Sequence, residues 1–315
     1  MDIRCGLVGG RREYRTSEFR VGYWGGTSLE GSRQKPSALV AVTSLCRYTI
    51  GVRAGWLTDI HLNFVSSSQR SRFYDLVRKQ KLDTLLLGGD IGEADSVIQF
   101  LAEVEASLHI SIYFVLGNHD YYRGSIAEVR EAVARQVAAS RWLRWLPVSG
   151  VVSLTDNTAL VGHDSWADGR FGNFSRSDVM LNDYVLIAEL RGLMKAELYA
   201  KLNALGDEAA EFLGRRVSEA FSQRRNIVVL THVPPFRDAC WHEGGISNDD
   251  WLPHFACQAV GDRLATLARA HPEQSLTVLC GHTHSPGVAR ILPNLVVYTG
   301  AAEYGSPIVQ RVFEF

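Results

Sequence analysis

From Gly51 onward, short apolar runs alternate with longer amphipathic stretches. VRAGWLT (Val52–Thr58) reads as a strand, and SQRSRFYDLVRKQ (Ser68–Gln80) as a helix with Phe73, Leu76 and Val77 on one face. DTLLLGG is a further short apolar run and so a buried strand. A helix from Ala94 to Leu108, a strand in ISIYFVLG and a helix from Ser125 to about Ser140 follow. Strand, helix, strand, helix, strand is the order of parallel β-α-β units. Runs that are apolar throughout suit strands covered on both faces.

The pattern continues with strands at Val151–Leu154 and Thr158–Val161. A long helical stretch covers Asn182 to about Gln223. Gly206-Asp207 is expected to break it in two, with Asp207 suited to an N-cap. NIVVLTH is a strand, and Pro234–Pro253 is a loop rich in Trp, Gly and Asp. A helix near Val260–Ala270 leads into LTVLCGHTH, and RILP, LVVYTG and IVQRVFEF close the chain as short strands. The first fifty residues lack such a period. They carry seven Arg and one Lys against four acids, a charge of +4, and seven glycines. They are read as an extension, either poorly ordered or translated from a misplaced start, ahead of a catalytic domain over residues 51–315.

Composition narrows the class. The 315 residues are 46% hydrophobic and 21% charged, ordinary for a globular protein with a normal core. The net charge of −1 offers no electrostatic reason to expect nucleic acid or an anionic membrane as partner. Five cysteines with no C-x-x-C pair argue against a disulfide framework and for a reducing compartment. No apolar leader and no membrane-length segment is visible, so the cytoplasm is the expected location.

The strand ends carry the chemistry. Asp59-Ile60-His61 follows GWLT, Asp90 follows TLLLGG, and Asn118-His119-Asp120 follows YFVLG. His232 ends IVVLT, and His282 and His284 follow TVLCG. Ligands of open α/β sheets bind beyond the carboxyl ends of the strands. Five of the ten histidines fall at these five places. Carboxylate, imidazole and amide donors without thiolate suit Mn, Fe, Zn, Co or Ni and would be a poor choice for Cu(I). The set is too large for one tetrahedral ion, whereas two ions sharing a carboxylate would use it fully.

The motifs DIH, GGD, GNHD, TH and GHTH, in this order over about Val52–Val297, resemble the calcineurin-like metallophosphoesterase superfamily. The resemblance implies an α/β fold, a four-layer α/β/β/α sandwich of two mixed sheets with helices outside. It implies one metal on Asp59, His61 and His284, a second on Asn118, His232 and His282, and Asp90 bridging both. It further implies hydrolysis of a phosphoester by a metal-bridging hydroxide, with His119 as acid or donor to the leaving oxygen. Glu93 and Asp120 are the candidates to orient His119. Arg123 and Trp241 are candidates for the substrate rim, as are His163 to Arg170. His109, His254 and His271 read as structural or surface residues, and Cys280 as buried and inert.

The sequence departs from particular branches of that superfamily. The Ser/Thr protein phosphatases carry GD-x-x-D-R-G and GNHE, where this chain has GDIGEAD and GNHD. Lipid-precursor hydrolases often replace the GNH histidine by arginine, and here His119 is intact. A small-molecule phosphomonoester or phosphodiester is therefore the expected substrate. A nuclease and a non-catalytic scaffold are the alternatives; the first lacks a basic region here and the second tends to lose ligands.

Overall fold

Residues alternate sides along a strand, and in this chain both sides are apolar. Each sheet must then be covered twice. The computed structural model of the protein describes residues 51–315, and it supplies that cover. The extension expected over residues 1–50 lies outside the described residues.

The first half runs β1 (Arg53–Leu57), α1 (Ser67–Lys79), β2 (Thr84–Leu87), α2 (Val97–Leu108), β3 (Ser111–Phe114), α3 (Ile126–Ala139) and β4 (Leu143–Trp145). These four strands pair in parallel, in chain order. The one-turn helix α4 (Leu146–Ser149) leads to β5 (Val152–Ser153) and β6 (Thr158–His163). Then follow α5 (Asp183–Leu186), α6 (Lys195–Phe221), β7 (Asn226–Thr231), a hairpin of β8 (Trp241–His242) and β9 (Gly245–Ile246), α7 (Leu252–Phe255) and α8 (Gln258–Ala270). Last come β10 (Ser275–Cys280), β11 (Gly287–Leu292), β12 (Leu295–Thr299) and β13 (Arg311–Glu314). The second sheet has the order β11-β12-β10-β7-β6-β5, with the inner four strands parallel and both edges antiparallel. β13 returns to the first sheet and lies antiparallel beside β1.

The two sheets pack face to face. Ala54, Trp56, Leu86 and Val115 of the first meet Leu160, Val228, Leu230 and Leu279 of the second. The alternate residues of the same strands face outward. Leu57, Leu85, Leu87, Ile112 and Phe114 pack under α1, α2 and α3. Ile227, Val229, Leu276 and Val278 pack under α6 and α8. The result is the expected α/β/β/α sandwich, and the alternation explains why the strands read as unbroken apolar runs.

Three expectations about helices change, and the first is the long stretch from Asn182, which is not helical over 187–194 between α5 and α6. In α1, Phe73 and Val77 are buried as expected, but Tyr74 joins them and Leu76 is exposed. The helix is turned toward α2, to which Arg70 is tied by its ion pair with Glu103 at 2.8 Å. In the second half α6 runs unbroken through Gly206-Asp207. A Cβ on Gly206 would lie 2.5 Å from the Cβ of Asp168, so this glycine serves a close approach and not a break. Asp207 pairs with Arg170 at 2.8 Å instead of capping a helix.

Candidate metal centre

Each short loop after a parallel strand brings one or two polar side chains to the same edge of the sandwich. β1 delivers Asp59 and His61, β2 delivers Asp90, and β3 delivers Asn118 and His119. From the other sheet, β7 delivers His232 and β10 delivers His282 and His284. The loops cross closely. His61 N–H donates to the Asp90 carbonyl at 2.9 Å, and Gly281 N–H to the His232 carbonyl at 2.8 Å. A Cβ at Gly117 would lie 2.1 Å from Asp90 Oδ1, and one at Gly281 would lie 1.9 Å from Asp59 Oδ2. Only glycine can precede Asn118 and His282 here.

The backbone bends sharply to aim these side chains. Asp59, His61, Asp90, His282 and His284 have φ between 40° and 70°. They make up five of the ten non-glycine residues with positive φ among the described residues. Such conformations are uncommon for residues with a Cβ and persist where the surroundings over-determine them.

The donor atoms form two groups. One ligand atom each from Asp59, His61, Asp90 and His284 lies within 4.8 Å of the others. In the second group the Asn118 carbonyl oxygen is 3.0 Å from His232 Nε2 and 2.9 Å from His282 Nδ1. Asp90 stands between them. Its Oδ1 lies 3.4 Å from His232 Nε2, and its Oδ2 lies 3.8 Å from His61 Nε2.

Partners behind these donors fix which atom faces inward. His232 donates through Nδ1 to the Gly88 carbonyl at 2.9 Å, which leaves Nε2 as a lone pair. His282 donates through Nε2 to the His254 carbonyl at 3.1 Å, which leaves Nδ1. Asn118 donates its amide hydrogens to Asp183 at 2.8 Å and to the Tyr122 hydroxyl at 3.1 Å, so its oxygen points to the histidines. Tyr122 in turn donates to Asp183 at 2.7 Å. Nothing in the sequence pattern singles out Asp183, which lies 65 positions from Asn118. His254, read from sequence as structural, is buried and contributes its carbonyl.

Burial governs the charges. It lowers His61 to about 2 and both His119 and His282 to about 3, so all three rings are neutral at pH 7, and those of His61 and His282 have lone pairs to offer a cation. Burial pushes Asp90 well above the ordinary carboxylate range, and the charges of Asp59 and Asp120 push the same way. For Asp59 burial acts upward too, but the hydrogen bond to His284 and the nearby histidines outweigh it and hold the group low. A buried group of carboxylates and neutral imidazoles, with His61 Nδ1 left unpartnered, fits cations far better than it fits itself. The oxygen and nitrogen donors match the borderline divalent metals.

Other expected site residues are placed elsewhere. Asp120 is buried and accepts from the amides of Ile91 and Gly92 at Oδ1 and of Gly117 at Oδ2, so it staples two ligand loops instead of orienting His119. Glu93 pairs with Arg123. Arg123 lines a neighbouring cleft with Ser125 and Leu186. Asp164 is fully buried and accepts from Leu116 N–H and Trp145 Nε1. Trp241 lays its indole against Gly287. Its neighbour His242 lines the metal-site cavity of about 230 Å³, together with His119, Tyr122, Phe255 and Tyr304. Cys280 is buried, as expected. Among the described residues no helix is long and apolar enough to cross a membrane.

The model of the calcineurin-like phosphoesterase family matches residues 52–286. No curated protein matches. Solved structures share the fold, these two among them. One is a phosphopantetheinyl hydrolase from Mycobacterium tuberculosis, 13% identical, with a TM-score of 0.61 over 84% of this chain and 97% of that one. The other is a dimetal phosphatase from Danio rerio, 13% identical, with a TM-score of 0.51 over 81% of this chain and 89% of that one. A family match over most of the described residues, on a fold that gathers carboxylate and imidazole donors at one buried edge, has one reading: the chain belongs to the calcineurin-like phosphoesterase family and is a metal-dependent phosphoester hydrolase.

Proposed function

We propose that the protein hydrolyses a small phosphomonoester or phosphodiester at a centre of two metal ions. The observation that carries this reading is Asp90, whose two oxygens face different donor groups. Asp59, His61 and His284 would hold one ion, and Asn118, His232 and His282 the other. When bound, such ions supply a nucleophilic water near neutral pH and offset the charge on the phosphoryl oxygens. The chain's own residues do the rest. Asp183 keeps the Asn118 oxygen turned inward, and the Gly88 and His254 carbonyls hold two imidazoles in their ligating tautomers. His119 is 4.6 Å from His61, ring to ring, and lines the cavity, where its neutral ring would donate an N–H hydrogen bond to the leaving oxygen. A cavity of about 230 Å³ suits a phosphoryl group with part of its alcohol.

The test uses full-length protein with Mn²⁺ and two substrates, p-nitrophenyl phosphate and bis-p-nitrophenyl phosphate. Cleavage of at least one is expected, with a fall of about 10²–10⁴-fold in kcat for His119→Ala. No cleavage of either, together with no effect of His119→Ala on any phosphoester tried, would refute the reading.

A further inference from the structure

Tyr304 lies far from every sequence motif, yet its ring sits on the metal site. Its centroid is 4.6 Å from His61, 5.3 Å from His284 and 6.1 Å from His119. The ring is not held there by core packing, because the residue is 48% exposed. Phe64 stands beside it at 4.7 Å and is 52% exposed. Two large aromatic rings thus touch each other and face solvent, Tyr304 lining the cavity with His119 and Phe64 extending the surface beyond it.

The arrangement is built, not incidental. Ser306 N–H donates to the Glu303 carbonyl at 3.0 Å, and Gly305 has φ 81°. That is the requirement of a type II turn, with Tyr304 and Gly305 at its tip. The start of this turn is anchored to the site itself, since Ala302 N–H donates to the His284 carbonyl at 3.1 Å. Gln310 clamps Ala301 from both sides, accepting its N–H at 2.9 Å and donating to its carbonyl at 2.6 Å. The loop therefore fixes an aromatic side chain over the ligands at the cost of leaving it half in water.

Exposed aromatic faces beside a polar centre are suited to a planar apolar group whose polar end reaches that centre. We propose that Tyr304 and Phe64 form a shelf that binds the alcohol portion of the substrate, and that this portion carries a planar aromatic ring. The proposal rests on the phosphoester-hydrolase reading of the adjoining cleft and assigns its substrate class. It gives Tyr304 a role through its ring and not its hydroxyl.

Phenylphosphonate and methylphosphonate share one head group, resist hydrolysis and differ by the ring. Their binding to Mn²⁺-loaded full-length protein, measured by calorimetry, tests the shelf without turnover. Tighter binding of phenylphosphonate is expected, with about tenfold of that preference lost in Tyr304→Ala, part of it lost in Phe64→Ala, and all of it kept in Tyr304→Phe. Equal affinity for the two phosphonates, or equal weakening of both by Tyr304→Ala, would overturn the proposal. Loss of bound manganese in Tyr304→Ala would also overturn it, by making the ring a prop for His61. If the phosphonate preference holds while no phosphoester is cleaved, the shelf stands and the hydrolase reading fails.

Discussion

Asp90 and Asp183 show how single residues divide the work of the centre. Asp90 faces both donor groups, whereas His61 faces one. Asp183 touches no second-group histidine but holds the amide of Asn118. In the proposed centre these positions predict different metal contents. After manganese loading, Asp90→Ala should retain little of either ion, and His61→Ala should retain about one. Asp183→Ala should keep the first ion and bind the second at least tenfold more weakly, the usual scale for removing a ligand's supporting partner. Elemental analysis and calorimetry on the three variants provide the check. Similar contents in Asp90→Ala and His61→Ala would contradict the bridging role, and an unaltered second ion in Asp183→Ala would remove that residue from the centre.

At the scale of elements, α6 carries a conflict between local preference and packing. Alanine is the better helix former by about 1 kcal/mol, yet Gly206 sits where α6 closes on Asp168. Asp168 accepts from Ala259 N–H at 2.9 Å in the first turn of α8, so it cannot retreat freely. Gly206→Ala should therefore destabilise the fold by about 1–3 kcal/mol in urea unfolding despite its helix propensity. An equally or more stable variant would show that the approach is not tight. This case also marks where the sequence stops being legible. Strands with both faces apolar, and polar residues at their ends, were readable because they depend on local period. Gly206 looked like a break because its reason lies in a residue on another element. Asp183, the His254 carbonyl and Tyr304 were invisible for the same cause, since the first two sit on one-turn helices too short to show a period and the third on a turn with no motif. Glu93 and Asp120 sat close in sequence to His119 and Asp90, but their carboxylates are taken by Arg123 and by backbone amides.

For the molecule as a whole, the centre lies across a seam. Three of its loops leave the first sheet and two leave the second. Two hydrogen bonds cross the seam from the second sheet to the first, His232 Nδ1–H to the Gly88 carbonyl at 2.9 Å and His282 N–H to Asp59 Oδ1 at 2.9 Å. The sheets must be in register before either donor group exists. The family match over residues 52–286 accordingly spans both halves of the sandwich.

The pairing of β13 with β1 sets a timetable. Arg53 and Glu314 are 261 positions apart, and closing so long a loop costs entropy before the strand gains its bonds. The edge strand should therefore dock late in refolding and open early when the native state fluctuates. Gln310, just ahead of it, is bonded to Trp56 as well as to Ala301, so each opening also slackens the turn that bears Tyr304. Amide hydrogen exchange should be faster at Gln310 and Phe315 than at Leu85–Leu87 in the neighbouring buried strand. Equal protection would mean that the edge opens only with the whole sheet. A brief excursion of the last strand would be a way for the proposed shelf to loosen while the loops that carry the donor residues stay assembled.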